Sequence, residues 1–396
     1  PRAAAAAAPR ATASMLPDTP PGAHSLRPAA AAPMGSEAPC SQLICRVRPC
    51  EKPSPLISVL EKEARIEVGP EKGQPGEPLR FDRLLHAHGP GEQEELFDII
   101  RPAVAACLQG TSCTVVAHGG PQCGKSYSLS GFFTHGQLHG LAPRAIQHVV
   151  ELLEQGEPGL PQAVEASFFE IQGDAVCDLA VRGCPKVAMR ELPHPPYVSL
   201  DSSLTAHRCD GAASFNRLLD TYFTGLEHRR KGSHTCFQIA FLAPDGRQLS
   251  QIRFIEMAWP RPQAGTSTSA GNSPAQGKVA ATLEQVLQGK LVAGPNSAQV
   301  CRDAYRASQL ALLLKPCFEG SSLLYFIYCL RLEHIQLPCL AAVAPLLAKL
   351  HLWLGVARSQ GLGNVAPGPA AGLPDDAAAS KARKPAVVPP LRLGGG

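Results

Sequence analysis

The stretch TVVAHGGPQCGKSYSLSG, residues 114–131, decides how the rest of the chain is read. A β-branched run leads into Gly119, and Gly119, Gly124, Lys125 and Ser126 complete the pattern G-x-x-x-x-G-K-[ST]. The spacing has a chemical reason. Glycines let backbone N–H groups wrap a pyrophosphate, and the N-terminus of a following helix adds partial positive charge. In that arrangement Lys125 reaches the β- and γ-phosphates and the Ser126 hydroxyl ligates Mg²⁺. Gly120, Pro121, Gln122 and Cys123 make up the remainder of the loop. Pro121 removes one N–H donor from the wrap, and Cys123 reads as a small filler. A strand before the loop and a helix after it are therefore expected.

The pattern on either side agrees. SQLICRVRP reads as a strand, and GEQEELFDIIRPAVAACLQG has helical spacing through Leu96, Ile99, Ile100 and Val104. LAPRAIQHVVELLEQG returns to helix, with Pro143 near its start and Gly156 as its stop. AVEASFFEIQGDAVCDLA alternates like a strand entering a turn. CFQIAFLAPDGRQLSQIRFIEMA reads as two strands around Pro-Asp-Gly. After the break AGTSTSAGNSPAQG, the segments KVAATLEQVLQGKL and YRASQLALLLKPC read as helices, and SSLLYFIYCLRL as a buried strand. Strands alternating with helices predict an α/β fold, one large domain with a central sheet covered by helices on both faces.

Composition narrows the classes. The 396 residues carry a net charge of only +4, too little to argue for nucleic acid beyond a nucleotide. No apolar run of about 18–20 residues, the length of a membrane span, stands out from the sequence. The 14 cysteines are scattered without a C-x-x-C pair, and many lie in apolar runs, which predicts buried free thiols. His86 and His88, or His135 and His139, have metal-like spacing but no neighbouring thiol or carboxylate, and read as surface histidines. Residues 1–40 are Ala/Pro-rich and residues 356–396 Pro/Gly/Ala-rich, so both are expected to be disordered around a domain at 41–355.

AHGGPQCGKSYSLSG resembles the kinesin motor domain, whose pattern here is A-Y-G-Q-T-G-S-G-K-T-Y-T-M-x-G. The resemblance extends over roughly 310 residues. CRVRP looks like the family's R-x-R-P strand end, which implies that Arg46, Arg48 and Pro49 lie against adenine. FDRLL, LAPRAIQHV and ASFFEIQGDAVCDLA are similar to further family segments, the last matching at Glu170, Ile171, Asp178 and Leu179. AYRASQLALLL is similar to Y-R-D-S-K-L-T-R-L-L. What the resemblance implies is a kinesin-motor-like fold, ATP or ADP with Mg²⁺ as cofactor, tubulin as partner, and a cytoplasmic, microtubule-associated location.

The chain departs from the family where phosphate chemistry is done. The first switch, N-x-x-S-S-R-S-H, is here EHRRKGSH at 227–234, retaining only Ser233 and His234. The second, D-L-A-G-S-E, is EMAWPR at 256–261. Glu256 keeps a carboxylate for outer-sphere Mg²⁺ contact, while Trp259 stands at the γ-phosphate-sensing glycine and is expected to fill the γ-phosphate space. Arg261 stands at the glutamate that pairs with the switch arginine. Glu256 and Ser233 remain the only catalytic candidates, with Ser126 and Glu256 as the metal candidates. Since losing one positioning group costs about 10²–10³-fold, several losses together predict poor hydrolysis. Arg229, Arg230 and Lys231 either neutralise phosphate in place of the metal or form a solvated basic loop. In the tubulin-facing motif Arg306 is retained, but Gln309 and Leu312 occupy basic positions. No heptad seam follows Leu354, so no coiled-coil dimerisation segment is visible. Two readings stay open: a diverged nucleotide-binding microtubule ATPase, and a catalytically inactive kinesin-fold scaffold.

Overall fold

A computed structural model describes residues 38–69, 77–87, 91–132, 136–156, 160–161, 163–209, 211–259, 274–292, 294 and 296–361. The two low-complexity ends, apart from residues 38–40 and 356–361, lie outside the described residues, as do His88, His135, Pro260 and Arg261.

The apolar run before the first arginines forms β1 (Gln42–Arg48), and three short strands, β2 (Ile57–Leu60), β3 (Arg65–Val68) and β4 (Leu79–Arg80), make a separate small sheet. Next come β5 (Arg83–His86), α1 (Glu92–Leu108) and β6 (Ser112–His118). The glycine loop follows, then α2 (Lys125–Leu129), α3 (Leu141–Glu154), β7 (Ala163–Gln172), β8 (Ala175–Asp178) and β9 (Lys186–Val187). A two-stranded ribbon of β10 (Met189–Glu191) and β11 (Val198–Leu200) precedes β12 (His207–Cys209) and α4 (Ala212–His228). The hairpin around Pro-Asp-Gly is β13 (His234–Leu242) and β14 (Gln248–Glu256). The chain continues through α5 (Pro274–Leu291), α6 (Ser297–Ala307), α7 (Gln309–Leu313), α8 (Lys315–Phe318), β15 (Ser322–Arg331) and α9 (Leu337–Ser359).

Ten strands form one mixed sheet in the order β5-β1-β15-β6-β14-β13-β7-β8-β9, with β12 also paired to β7. The run from β5 to β14 is parallel and the rest antiparallel. Side chains alternate across each strand, so the sheet supports two cores. Ile44, Val115, Phe237, Phe254 and Ile327 face α1, α3 and α4. Leu43, Val116, Ile255, Phe326 and Tyr328 face the layer built from α5, α7, α8 and α9. The expected α/β sheet with helices on both faces is thus the observed architecture.

Three expectations change in detail. YRASQLALLLKPC is broken rather than one helix: Ser308 is extended at φ −152° and ψ 124°, and its hydroxyl accepts from the Ala311 N–H at 3.3 Å, capping α7. The boundary at 355 falls inside α9, which runs on to Ser359. The stretch His334–Ser359 is also helical, long and apolar enough to cross a membrane by length and composition, at a mean hydropathy of 1.7, contrary to the sequence expectation. Its Leu340, Val343, Leu346, Leu347, Leu350 and Leu354 are buried in the core shared with α5 and the sheet, while Leu352 and Val356 are exposed. All 14 cysteines are free, and ten are buried.

Candidate nucleotide-binding site

The parallel strands β1, β15, β6 and β14 end at one edge, where ligands of open α/β sheets bind. Register brings Arg48 beside Arg331, His118 beside Tyr328 and Glu256 beside Ala117. Antiparallel β13 starts at that edge, with Thr235 opposite Glu256. Residues scattered over nearly 300 positions therefore meet around the loop that follows β6.

The loop's shape depends on its glycines. Gly119 and Gly124 take φ of 142° and 98°, and a Cβ on Gly119 would run into the Cys329 carbonyl. Gln122 is also left-handed, at φ 59°. Side chains hold the loop from outside. Gln336 Nε2 donates to the Pro121 carbonyl at 3.2 Å, and the Cys123 thiol approaches Gln336 Oε1 at 3.4 Å. Arg48 Nη1 donates to the Gln122 carbonyl at 2.6 Å. Burial pushes the Cys123 thiol up to about 11, so it stays protonated and acts as filler. Gln336 carries no motif and was invisible in the sequence; only the course of β15 into α9 delivers it.

Lys125 is buried, with Nζ donating to the carbonyls of Gly119 at 2.8 Å and Gly120 at 2.7 Å. Its ammonium is thus held at the loop by its own backbone. Ser126 Oγ donates to Glu256 Oε1 at 2.8 Å, and Arg229 Nη1 donates to Glu256 Oε2 at 3.1 Å. Ser126, Glu256 and Arg229 form a continuous chain across the mouth, beside a cleft of about 490 Å³ lined by Ser126, Ser130, Phe223 and Arg229 among others.

Arg229 and Arg230 diverge. The backbone leaves α4 at Arg229 with φ −58° and ψ 141°, and the two side chains reach different carboxylates. The Arg230 N–H donates to Glu170 Oε2 at 2.8 Å, and its guanidinium lies 3.5 Å from Glu170 Oε1. Glu170 is fully buried, which anchors the turn and leaves Arg229 facing Glu256. Ser233 is turned inward, its hydroxyl donating to the Arg230 carbonyl at 2.8 Å. His234 Nδ1 accepts from the Ala258 N–H at 3.1 Å, joining the two switch segments. The Trp259 ring packs edge-on against His118, 5.7 Å between centroids, and His118 lies in turn against Phe326 and Tyr328. The indole is seated in this aromatic layer.

Of the strand-end residues, Arg48 and Pro49 are exposed at the mouth. Arg46 is buried beneath α2, donating to Ser128 Oγ at 2.5 Å, lying 3.6 Å from Glu92 and over the Tyr127 ring. It braces the helix after the loop.

The loop fits a nucleotide's phosphates: glycines at its bends, a lysine at its centre and an arginine at its rim. The fit to Mg²⁺ is poor. Its donor set is one hydroxyl and one carboxylate, already joined to each other and to a guanidinium. Among the described residues no group of three His, Cys, Asp or Glu is placed to hold a metal ion. In the segment AYRASQLALLL Arg306 is exposed and Leu312 is buried, and Lys315 just after it is drawn to Glu191 at 2.7 Å.

Comparison with known proteins decides the family. The family model "Kinesin motor domain" matches residues 48–338. The chain belongs to the kinesin motor-domain family. This kinesin is 34% identical over 154 residues to the kinesin-like protein KIFC2 of Mus musculus, covering 38% of this chain and 18% of the relative. It is 28% identical over 152 residues to the kinesin heavy chain of Strongylocentrotus purpuratus, covering 37% and 14%. A longer match, 24% over 261 residues, is to the kinesin-like protein KIF22 of Danio rerio, covering 61% and 39%. The matches therefore span less than half of each of these relatives' lengths.

Proposed function

We propose that this kinesin-family chain binds ATP and ADP at the loop from Gly119 to Ser126, hydrolyses ATP slowly, and associates weakly with microtubules as a cytoplasmic, cytoskeletal protein. The observation that carries the reading is the contrast within one site. The loop keeps its left-handed glycines and central lysine, while the switch segments are tied into the Arg229–Glu256 pair and the Arg230–Glu170 anchor.

In this arrangement Lys125 and Arg229 bind phosphate charge, Arg48 and Pro49 flank the base side, and Gln336 keeps the loop in register. Phosphoryl transfer is mostly positioning and electrostatics, and the groups left to position a water are few. Ser233 is spent on the Arg230 carbonyl, and both oxygens of Glu256 are engaged. The filament face offers Arg306, but its motif partner Leu312 serves the core, so steering toward an acidic filament is reduced.

A second reading, a kinesin-fold scaffold without nucleotide, is favoured by the closed Ser126–Glu256–Arg229 chain. Thermal unfolding separates the two. ATP or ADP at millimolar concentration should raise Tm by a few degrees, because ligand at about 100 times Kd adds about 2.7 kcal/mol. An unchanged Tm with either nucleotide leaves the scaffold.

A further inference from the structure

The chain's own arginine is bonded to Glu256, the carboxylate that the family resemblance assigns to outer-sphere Mg²⁺ contact. Ser126 Oγ and Glu256 Oε1 are 2.8 Å apart, in direct contact with no room for a bridging water. The other Glu256 oxygen takes the Arg229 guanidinium at 3.1 Å. Three features make this a built arrangement. Glu256 is largely buried, its side chain 12% exposed. Arg229 is aimed at it because the next residue is pinned on fully buried Glu170. Lys125 is held in the same loop by two carbonyls.

The charges make the case. A guanidinium stays protonated at any ordinary pH and offers forked donors matched to phosphate oxygens. Mg²⁺ demands near-octahedral oxygen ligands and gives up its waters reluctantly. To enter, it has to displace a guanidinium from Glu256 and sit beside that same cation. A diphosphate has no such difficulty. Lys125 and Arg229 both offer it positive charge, and the Arg229–Glu256 link need only share its donors.

We propose that this chain binds nucleoside diphosphate in its metal-free form, with the Arg229 guanidinium serving as the resident cation in place of Mg²⁺. The proposal rests on the nucleotide-binding reading above and goes beyond it in naming the ligand's ionic form. Arg229 is the phosphate-binding residue, and Arg230 with Glu170 are its positioning residues.

The test is isothermal titration of the full chain with ADP, once with excess Mg²⁺ and once with EDTA. The expected result is a Kd in EDTA within about threefold of that in Mg²⁺. Arg229→Ala should weaken metal-free binding about tenfold, the loss of one charge-assisted contact, and should create a dependence on Mg²⁺ as Glu256 is released. Arg229→Lys should recover part of the metal-free affinity, and matched thermal unfolding of both variants excludes misfolding as the cause. Binding by the unsubstituted chain that tightens tenfold or more with Mg²⁺ overturns the inference and leaves nucleotide binding standing. No binding in either buffer removes the nucleotide reading and the inference with it.

Discussion

Replacing Lys125 by methionine is expected to weaken ADP binding by about 100-fold while leaving the fold intact, since a hydrogen bond to a charged group contributes about 1.5–3 kcal/mol and Lys125 makes more than one. The side chain is buried, and its ammonium already bonds the Gly119 and Gly120 carbonyls, so the charge is fixed where a phosphate would lie. Methionine keeps the apolar stem and removes only the charge. Gly119 and Gly120 are buried, so the two freed carbonyls are expected to cost about 1–3 kcal/mol of stability each. Titration calorimetry gives the affinity and a thermal melt of the same sample gives the fold. Unchanged affinity would mean that ADP binds somewhere other than this loop.

Acid is expected to destabilise the domain through two buried histidines. Burial, helped by the nearby Lys125 and His234 charges, holds His118 down at about 3, and burial holds His234 at about 4. Both lie below the ordinary histidine value, so the folded state refuses protons that the unfolded chain accepts. Their stability is fully present above about pH 6.5 and is lost as pH falls below it. At pH 5 each costs about 2 kcal/mol relative to pH 7.5. Burial lowers His148 and His207 in the same direction. His118→Phe isolates one component. The ring already packs with Trp259, Phe326 and Tyr328, and its Nδ1 has no hydrogen-bond partner. Urea unfolding at the two pH values should show the variant losing about 2 kcal/mol less than the unsubstituted chain. An identical loss would mean that His118 titrates normally in the folded state.

Much of the fold was legible because its signals are local. The strand–glycine–lysine sequence at 114–131, the Pro-Asp-Gly hairpin and the helical spacing of α1 and α3 each lie within one short stretch. α4 left a weaker mark, since Asn216, Thr221, Phe223 and Thr224 are poor helix formers and its buried face became clear only against the sheet. α9 is apolar on most sides and contains Pro345, so neither periodicity nor composition marked it as a helix. The candidate site was half readable. Lys125, Ser126 and Glu256 carry motif positions. The contact between Arg229 and Glu256 joins residues 27 apart through a hairpin, and the grip of Gln336 on Pro121 spans 215. No local pattern encodes either. Arg46 shows the opposite case: its motif is intact, yet burial under α2 gives the arginine a bracing contact in place of an exposed one.

The most direct measurement is phosphate release from ATP by the full chain, with and without saturating microtubules at low salt. A phosphate loop preserved beside rebuilt switches predicts a slow basal rate that microtubules change by less than about threefold, because the groups that would position the attacking water are engaged elsewhere. Stimulation of 100-fold or more would contradict that prediction and place this chain among working motors.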